Sequence, residues 1–104
     1  MILEAADLRA PEGASETFEA EVRRGLDTVL SRADGYRRYE LRRSIETPDR
    51  YLLLIEWDSL EHHTVGFRQS AAYEEWSAIV RPVFAGSPSV EHFELVAGSG
   101  GAER

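Results

Sequence analysis

The segment Tyr51-Leu52-Leu53-Leu54-Ile55 constrains the fold more than any other part of this chain. Five consecutive apolar residues are far too few to cross a membrane. Followed by Glu56-Trp57 and preceded by turn chemistry at Thr47-Pro48-Asp49-Arg50, they read as a strand with apolar side chains on both faces. Such a strand needs cover above and below. At 104 residues the chain makes one domain, which buries about two-thirds of its unfolded surface and has little left for a second covering layer.

The neighbouring segments supply one layer. Ile2 to Arg9 reads as a first strand, closed by Pro11-Glu12-Gly13. From Ala14 to Ala33, Phe18, Val22, Leu26 and Val29 recur at helical spacing, and Asp34-Gly35 supplies the stop. Tyr36 to Glu46 alternates Tyr39, Leu41 and Ile45 with Arg38, Glu40, Arg42 and Ser44, a strand with one wet face. It pairs with the doubly apolar strand as a hairpin, in either of two registers. Asp58 is expected to cap a short helix carrying Leu60, His63 and Phe67 on one face. A second helical stretch carries Tyr73, Trp76, Val80 and Val83 until Pro82 and Gly86-Ser87-Pro88 end it. Ser89 to Val96 alternates as a last strand.

This order predicts an α+β, ferredoxin-like βαββαβ fold: a four-stranded antiparallel sheet with helices on one side. The domain spans 1–97, and 98–104 reads as a flexible tail. Unless helix ends and the tail shelter the other side, either Leu52 and Leu54 or Tyr51, Leu53 and Ile55 meet water. Burial against a twin then stabilises by roughly 1.5–3 kcal/mol per side chain. A homodimer is the expected solution.

Composition narrows the chemistry. The net charge of −7 disfavours nucleic acid and anionic membranes as partners. All twelve basic residues are arginine, and the absence of lysine excludes Schiff-base catalysis. The absence of cysteine excludes disulfides, thiolate nucleophiles and iron–sulfur clusters. The first residues show no signal-peptide pattern, so a cytoplasmic location is expected.

Three histidines are the side chains that titrate near neutrality. His62 is expected on the wet side of its helix. His63 faces inward, either as a hydrogen-bonded core residue or as a general base beside a cavity. His92 shares a strand face with Val90 and Glu94, as a solvated or interface histidine or as a site histidine. No spacing supports a metal site, and none is expected. Trp57, Phe67, Tyr73 and Trp76 are either core or the walls of a pocket for a flat ligand. Arg43 and Arg81 are candidate anion holders.

Tyr51–Trp57, Leu60–Ser70 with its paired histidines, Tyr73-Glu-Glu-Trp76 and Pro88-Ser-Val-Glu-His92 together resemble the antibiotic biosynthesis monooxygenase (ABM) family. The resemblance implies a dimeric α/β barrel of ferredoxin-like subunits, each with a pocket between its sheet and the helix after the third strand. Some members of that family oxygenate polycyclic phenols without a cofactor, tending to use asparagine, tryptophan and arginine. Others degrade haem with asparagine, tryptophan and a histidine about ten residues later. Trp57 matches the tryptophan; Phe67 stands at the haem-ligand position, and the chain contains no asparagine. The expectation is a cofactor-independent monooxygenase for an aromatic or polyketide-like molecule. In it His63 serves as base, His92 as polar partner, Trp57 and Trp76 as walls, Phe67 and Tyr73 as lining, and Arg81 as a substrate contact. The alternatives are a non-catalytic or stress-related small-molecule binder of the same fold, or a haem protein using His63 or His92.

Overall fold

In the computed structural model, which describes residues 1–99, the doubly apolar segment is an inner strand of one sheet. The chain runs β1 (Ile2–Arg9), α1 (Ser15–Thr28), a 3₁₀ turn (Leu30–Arg32), β2 (Tyr36–Arg43) and β3 (Arg50–Trp57). A π-helix (His62–Phe67), α2 (Ala71–Val80), a second 3₁₀ turn (Arg81–Val83) and β4 (Ser89–Glu94) follow. The four strands are antiparallel in the order β2-β3-β1-β4. Each helical crossover therefore skips a strand, α1 passing β3 to reach β2 and α2 passing β1 to reach β4. This is the expected ferredoxin-like α+β architecture. Of the expected tail, residues 98 and 99 carry no regular structure, and residues 100–104 lie outside the described part.

The register decides which face of β3 lies under the helices. Tyr51, Leu53, Ile55 and Trp57 are buried there, packed with Ala6 and Leu8 of β1 and with Phe18, Val22 and Leu26 of α1. The Phe18 ring lies 4.5 Å from that of Tyr51. Leu52, 38% exposed, and half-buried Leu54 point to the open face. Across from them lie Leu3, Ala5 and Asp7 of β1 and Arg38, Glu40 and Arg42 of β2, with Phe93 beyond on β4.

Several boundaries depart from the sequence pattern. The helical periodicity runs through Val29, but the backbone there leaves the α-helix (φ −118°, ψ −62°) and tightens into the 3₁₀ turn that drives Leu30 into the core. The second strand ends at Arg43 rather than Glu46, because Ser44 opens the hairpin turn by accepting the Thr47 N–H on its hydroxyl. Ile45 is consequently 94% exposed, not part of the inward set. Asp49 takes the left-handed corner at φ +66°. β2 also carries a bulge at Arg37, which frees that side chain to pair with Asp58 at 2.9 Å. Asp58 is thus occupied in an ion pair, and Ser59 caps the following turn, its hydroxyl accepting the His62 N–H. The last strand stops at Glu94, leaving Leu95 and Val96 exposed.

Gly35 connects this layer to the site. It has φ +85°, its carbonyl accepts the Asp58 N–H at 2.7 Å, and a Cβ there would run into the His62 ring. Gly35→Ala is expected to cost about 2–3 kcal/mol, from left-handed strain and the displaced imidazole together, read as a lower urea midpoint with an unchanged slope.

Candidate active site around Glu4, His63 and His92

The site begins with a carboxylate where an apolar side chain belongs. Glu4 lies on the helix-facing side of inner strand β1 and is 7% exposed. Strand pairing puts Ile55 opposite it on β3 and His92 opposite it on β4. Two residues beyond Ile55, Trp57 points to the same face, and its Nε1–H donates to Glu4 Oε1 at 2.9 Å.

The π-helix lowers a histidine into this frame. Its widened turn is visible in the Arg68 N–H, which donates to the carbonyl of His63 five residues back. His63 and Phe67 are both turned inward, whereas Leu60, expected on the same face, is 38% exposed. The His63 ring stacks on the Trp57 indole with centroids 5.1 Å apart and planes at 21°. Phe67 continues the stack, and Tyr73 from α2 meets Phe67 edge-on at 5.6 Å. Both ring nitrogens of His63 are engaged: Nε2 lies 3.3 Å from Glu4 Oε1, and Nδ1 lies 2.8 Å from Nε2 of His92.

Burial sets the electrostatics. Desolvation raises the Glu4 carboxyl above its ordinary value, against the opposing hydrogen bond from Trp57 and the charge of Arg68. Desolvation, helped by the charge of Arg68 and by the neighbouring His92, lowers His63 to about 4, so it is neutral at physiological pH. His92, half-buried, is lowered by desolvation and by Arg68. Tyr73 is lowered chiefly by the Arg81 guanidinium beside it, with Ser77 and Arg68 contributing.

The residues singled out in the sequence therefore divide. Trp57, His63, His92, Phe67 and Tyr73 form one connected cluster. Arg81 joins it only through Tyr73, along an open groove on α2 that also includes Ser77 and Pro82. Trp76 packs elsewhere: it lies over Gly25 of α1, where a Cβ would come within 2.9 Å of its ring. Arg43 is exposed and paired with Glu19, which also accepts the Tyr51 hydroxyl. A cavity of ≈ 350 Å³ between α1 and the strands is bordered by Glu19, Arg23, Tyr39, Arg43 and Tyr51. It sits about 20 Å along β3 from Trp57. Two contributors, Glu4 and Arg68, were not identified from sequence. Glu4 had a signal, because it shares strand parity with Ile2, Ala6 and Leu8 and so falls on the apolar face.

The sequence profile of antibiotic biosynthesis monooxygenases matches residues 1–79. The chain belongs to the antibiotic biosynthesis monooxygenase family. It is 41% identical over 96 residues to the uncharacterized protein YczJ of Bacillus subtilis (strain 168), covering 92% of this chain and all of YczJ. A crystal structure from Bordetella bronchiseptica assigned to the same family is 38% identical, covers 92% of this chain and 97% of its own, and superposes with a TM-score of 0.85. Two distant structures share the fold alone. SnoaB from Streptomyces nogalater, a cofactor-independent oxygenase, is 13% identical with a TM-score of 0.76, covering 93% of this chain and 94% of its own. The haem degrader MhuD from Mycobacterium tuberculosis is 22% identical with a TM-score of 0.75, covering 96% of this chain and all of its own. One fold thus carries two chemistries in those two proteins. Glu4, Trp57, His63 and Phe67 lie within the matched residues and His92 lies beyond them.

The lowered His63 makes stability depend on pH. Unfolded, its imidazole takes a proton at the ordinary 6.5; folded, it does so only near 4. The unfolded chain therefore binds more protons between these values, and stability falls as pH drops through that window. Glu4 acts in the opposite sense, its raised carboxyl removing stability as pH rises above 4.5. Urea denaturation from pH 7 to 4 is expected to show the stability difference between wild type and His63→Leu shrinking by on the order of 3 kcal/mol.

Proposed function

We propose that this protein is a cofactor-independent monooxygenase acting on an aromatic or polyketide-like molecule with an acidic C–H or O–H. A base removes a proton, the substrate anion gives its electrons to dioxygen, one oxygen atom enters the substrate and the other leaves as water. The observation that carries this reading is the neutral histidine pair, stacked on Trp57 and Phe67 and reaching half-exposed His92 at the rim. An imidazole kept unprotonated at neutral pH is ready to accept a proton. The charge of Arg68 nearby favours the anion that results, and the half-buried ring of Tyr73, packed edge-on to Phe67, suits a flat ligand.

Oxygen uptake with anthrone-type phenols tests the reading. Uptake is expected without added flavin or metal, and His63→Ala is expected to lower it by about 100-fold. Wild-type turnover by that variant would remove His63 from the mechanism. No uptake across a broad panel would favour the second reading, a small-molecule binder without turnover. The tight packing of His63, 3% exposed, speaks for that reading. The same packing occupies both ring nitrogens of His63, so apoprotein titrated with haem is expected to show no Soret shift through it.

We further infer that the working unit is a twofold dimer formed through the open sheet face. Leu3, Leu52, Leu54 and Phe93 lie there, and Leu3, Phe93 and Leu95 border a cleft of ≈ 250 Å³. Light scattering is expected to report twice the 11.7 kDa chain mass, and Leu54→Arg to return a single folded chain.

A further inference from the structure

The order of donors in the buried cluster leaves little freedom in where its protons sit. The Trp57 Nε1–H can only donate, and it donates to Glu4 Oε1 at 2.9 Å; with the carboxyl ionised, that oxygen can only accept. Nε2 of His63 stands 3.3 Å from the same oxygen. A lone pair pointed there would be repelled, so Nε2 bears the proton. His63 is neutral at pH 7, its protonation lying near 4, and its Nδ1 therefore holds the lone pair. That lone pair faces Nε2 of His92 at 2.8 Å, so Nε2 of His92 carries the hydrogen and donates it. In the neutral ring the remaining lone pair is on Nδ1 of His92, which has no partner among the described residues. No buried side-chain nitrogen or oxygen among the described residues lacks a partner, so this atom is open to solvent.

From this geometry we infer that His92 Nδ1 is the proton-accepting atom of the site, and that His63 and Glu4 are positioning residues which lock its tautomer. The assignment of His92 as base rests on the oxygenase reading above; the tautomer lock does not. When Nδ1 takes a substrate proton, His92 becomes an imidazolium whose Nε2–H still donates to His63. The substrate keeps the electron pair as an anion. Glu4, one imidazole further in, holds His63 with its acceptor nitrogen outward, the part a buried carboxylate plays behind a catalytic histidine. Burial and the Arg68 guanidinium set the proton affinity of His92; Glu4 on β1 and His63 on the π-helix face it, and Glu94 shares its side of β4.

Long-range ¹H–¹⁵N correlation spectra of imidazole-labelled protein at pH 7.5 test the lock without any substrate. His63 and His92 are both expected as the Nε2–H tautomer. In His63→Leu, His92 is expected to show the averaged pattern of free imidazole. A wild-type His92 protonated on Nδ1, or a His92 still locked in His63→Leu, overturns the lock. Oxygen uptake tests the base. His92→Gln is expected to lower kcat by about 100-fold with KM near the wild-type value, and added imidazole to restore part of the loss in His92→Ala. His63→Leu is expected to lower kcat without rescue by imidazole. Wild-type turnover by His92→Ala overturns the base assignment. Tautomers as described in a protein that consumes no oxygen would sink the oxygenase reading and leave the lock standing.

Discussion

A carboxylate on an inner strand beneath helices costs several kcal/mol unless hydrogen bonds replace its lost water, and much of the site is the answer to that demand at Glu4. Trp57 supplies one donor and thereby fixes its indole against the sheet. His63 brings Nε2 to 3.3 Å from the same Glu4 oxygen through the widened turn of the π-helix, which turns His63 and Phe67 inward and leaves Leu60 at the surface. The register of β4 against β1 then places His92 directly across from Glu4, within reach of the nitrogen of His63 that the carboxylate leaves free. Chemistry and packing are the same set of contacts here, because the aromatic stack that excludes water is also what keeps the imidazole neutral.

The open face of the sheet obeys a different logic. Arg38 pairs with Glu40 and Glu56, Arg42 with Glu40, and Arg50 with Asp7, all at the surface. Exposed pairs of this kind contribute too little to hold the sheet together. They border a stripe of Leu3, Leu52, Leu54 and Phe93 that one layer of helices cannot cover, which is the physical basis for expecting a twin subunit. Burial of Tyr51, Leu53, Ile55 and Trp57 on the opposite face supplies the cohesion of the subunit itself.

Periodicity read the elements well where burial enforced it. The apolar spacing of Phe18, Val22 and Leu26, the alternation in β2 and the unbroken apolar run of β3 correspond to elements in the structure. It failed where backbone geometry overrode the pattern: Val29 continues the spacing but not the helix, and Ile45 fits the alternation but belongs to a turn. Asp58 has the chemistry of a cap, yet the bulge at Arg37 gave it an ion pair instead. At the site, the aromatic and histidine positions were visible as a group. Trp76 could not be separated from them, since only the approach of Gly25 shows that its ring packs between helices.

Strand and helix order, the two-sided apolar strand, the exclusion of cysteine and lysine chemistry, and the inward turn of His63 all follow from residue types and spacing, because these act over a few neighbouring positions. Contacts that join residues dozens of positions apart do not. The pairing of Glu4 with Trp57 and His63, the meeting of His63 with His92, and the choice of Leu52 and Leu54 for the open face arise only once strand register and the π-turn are set. Register is decided by the whole sheet at once, and a slip of a single residue would have put Glu4 in water and His92 on the other face.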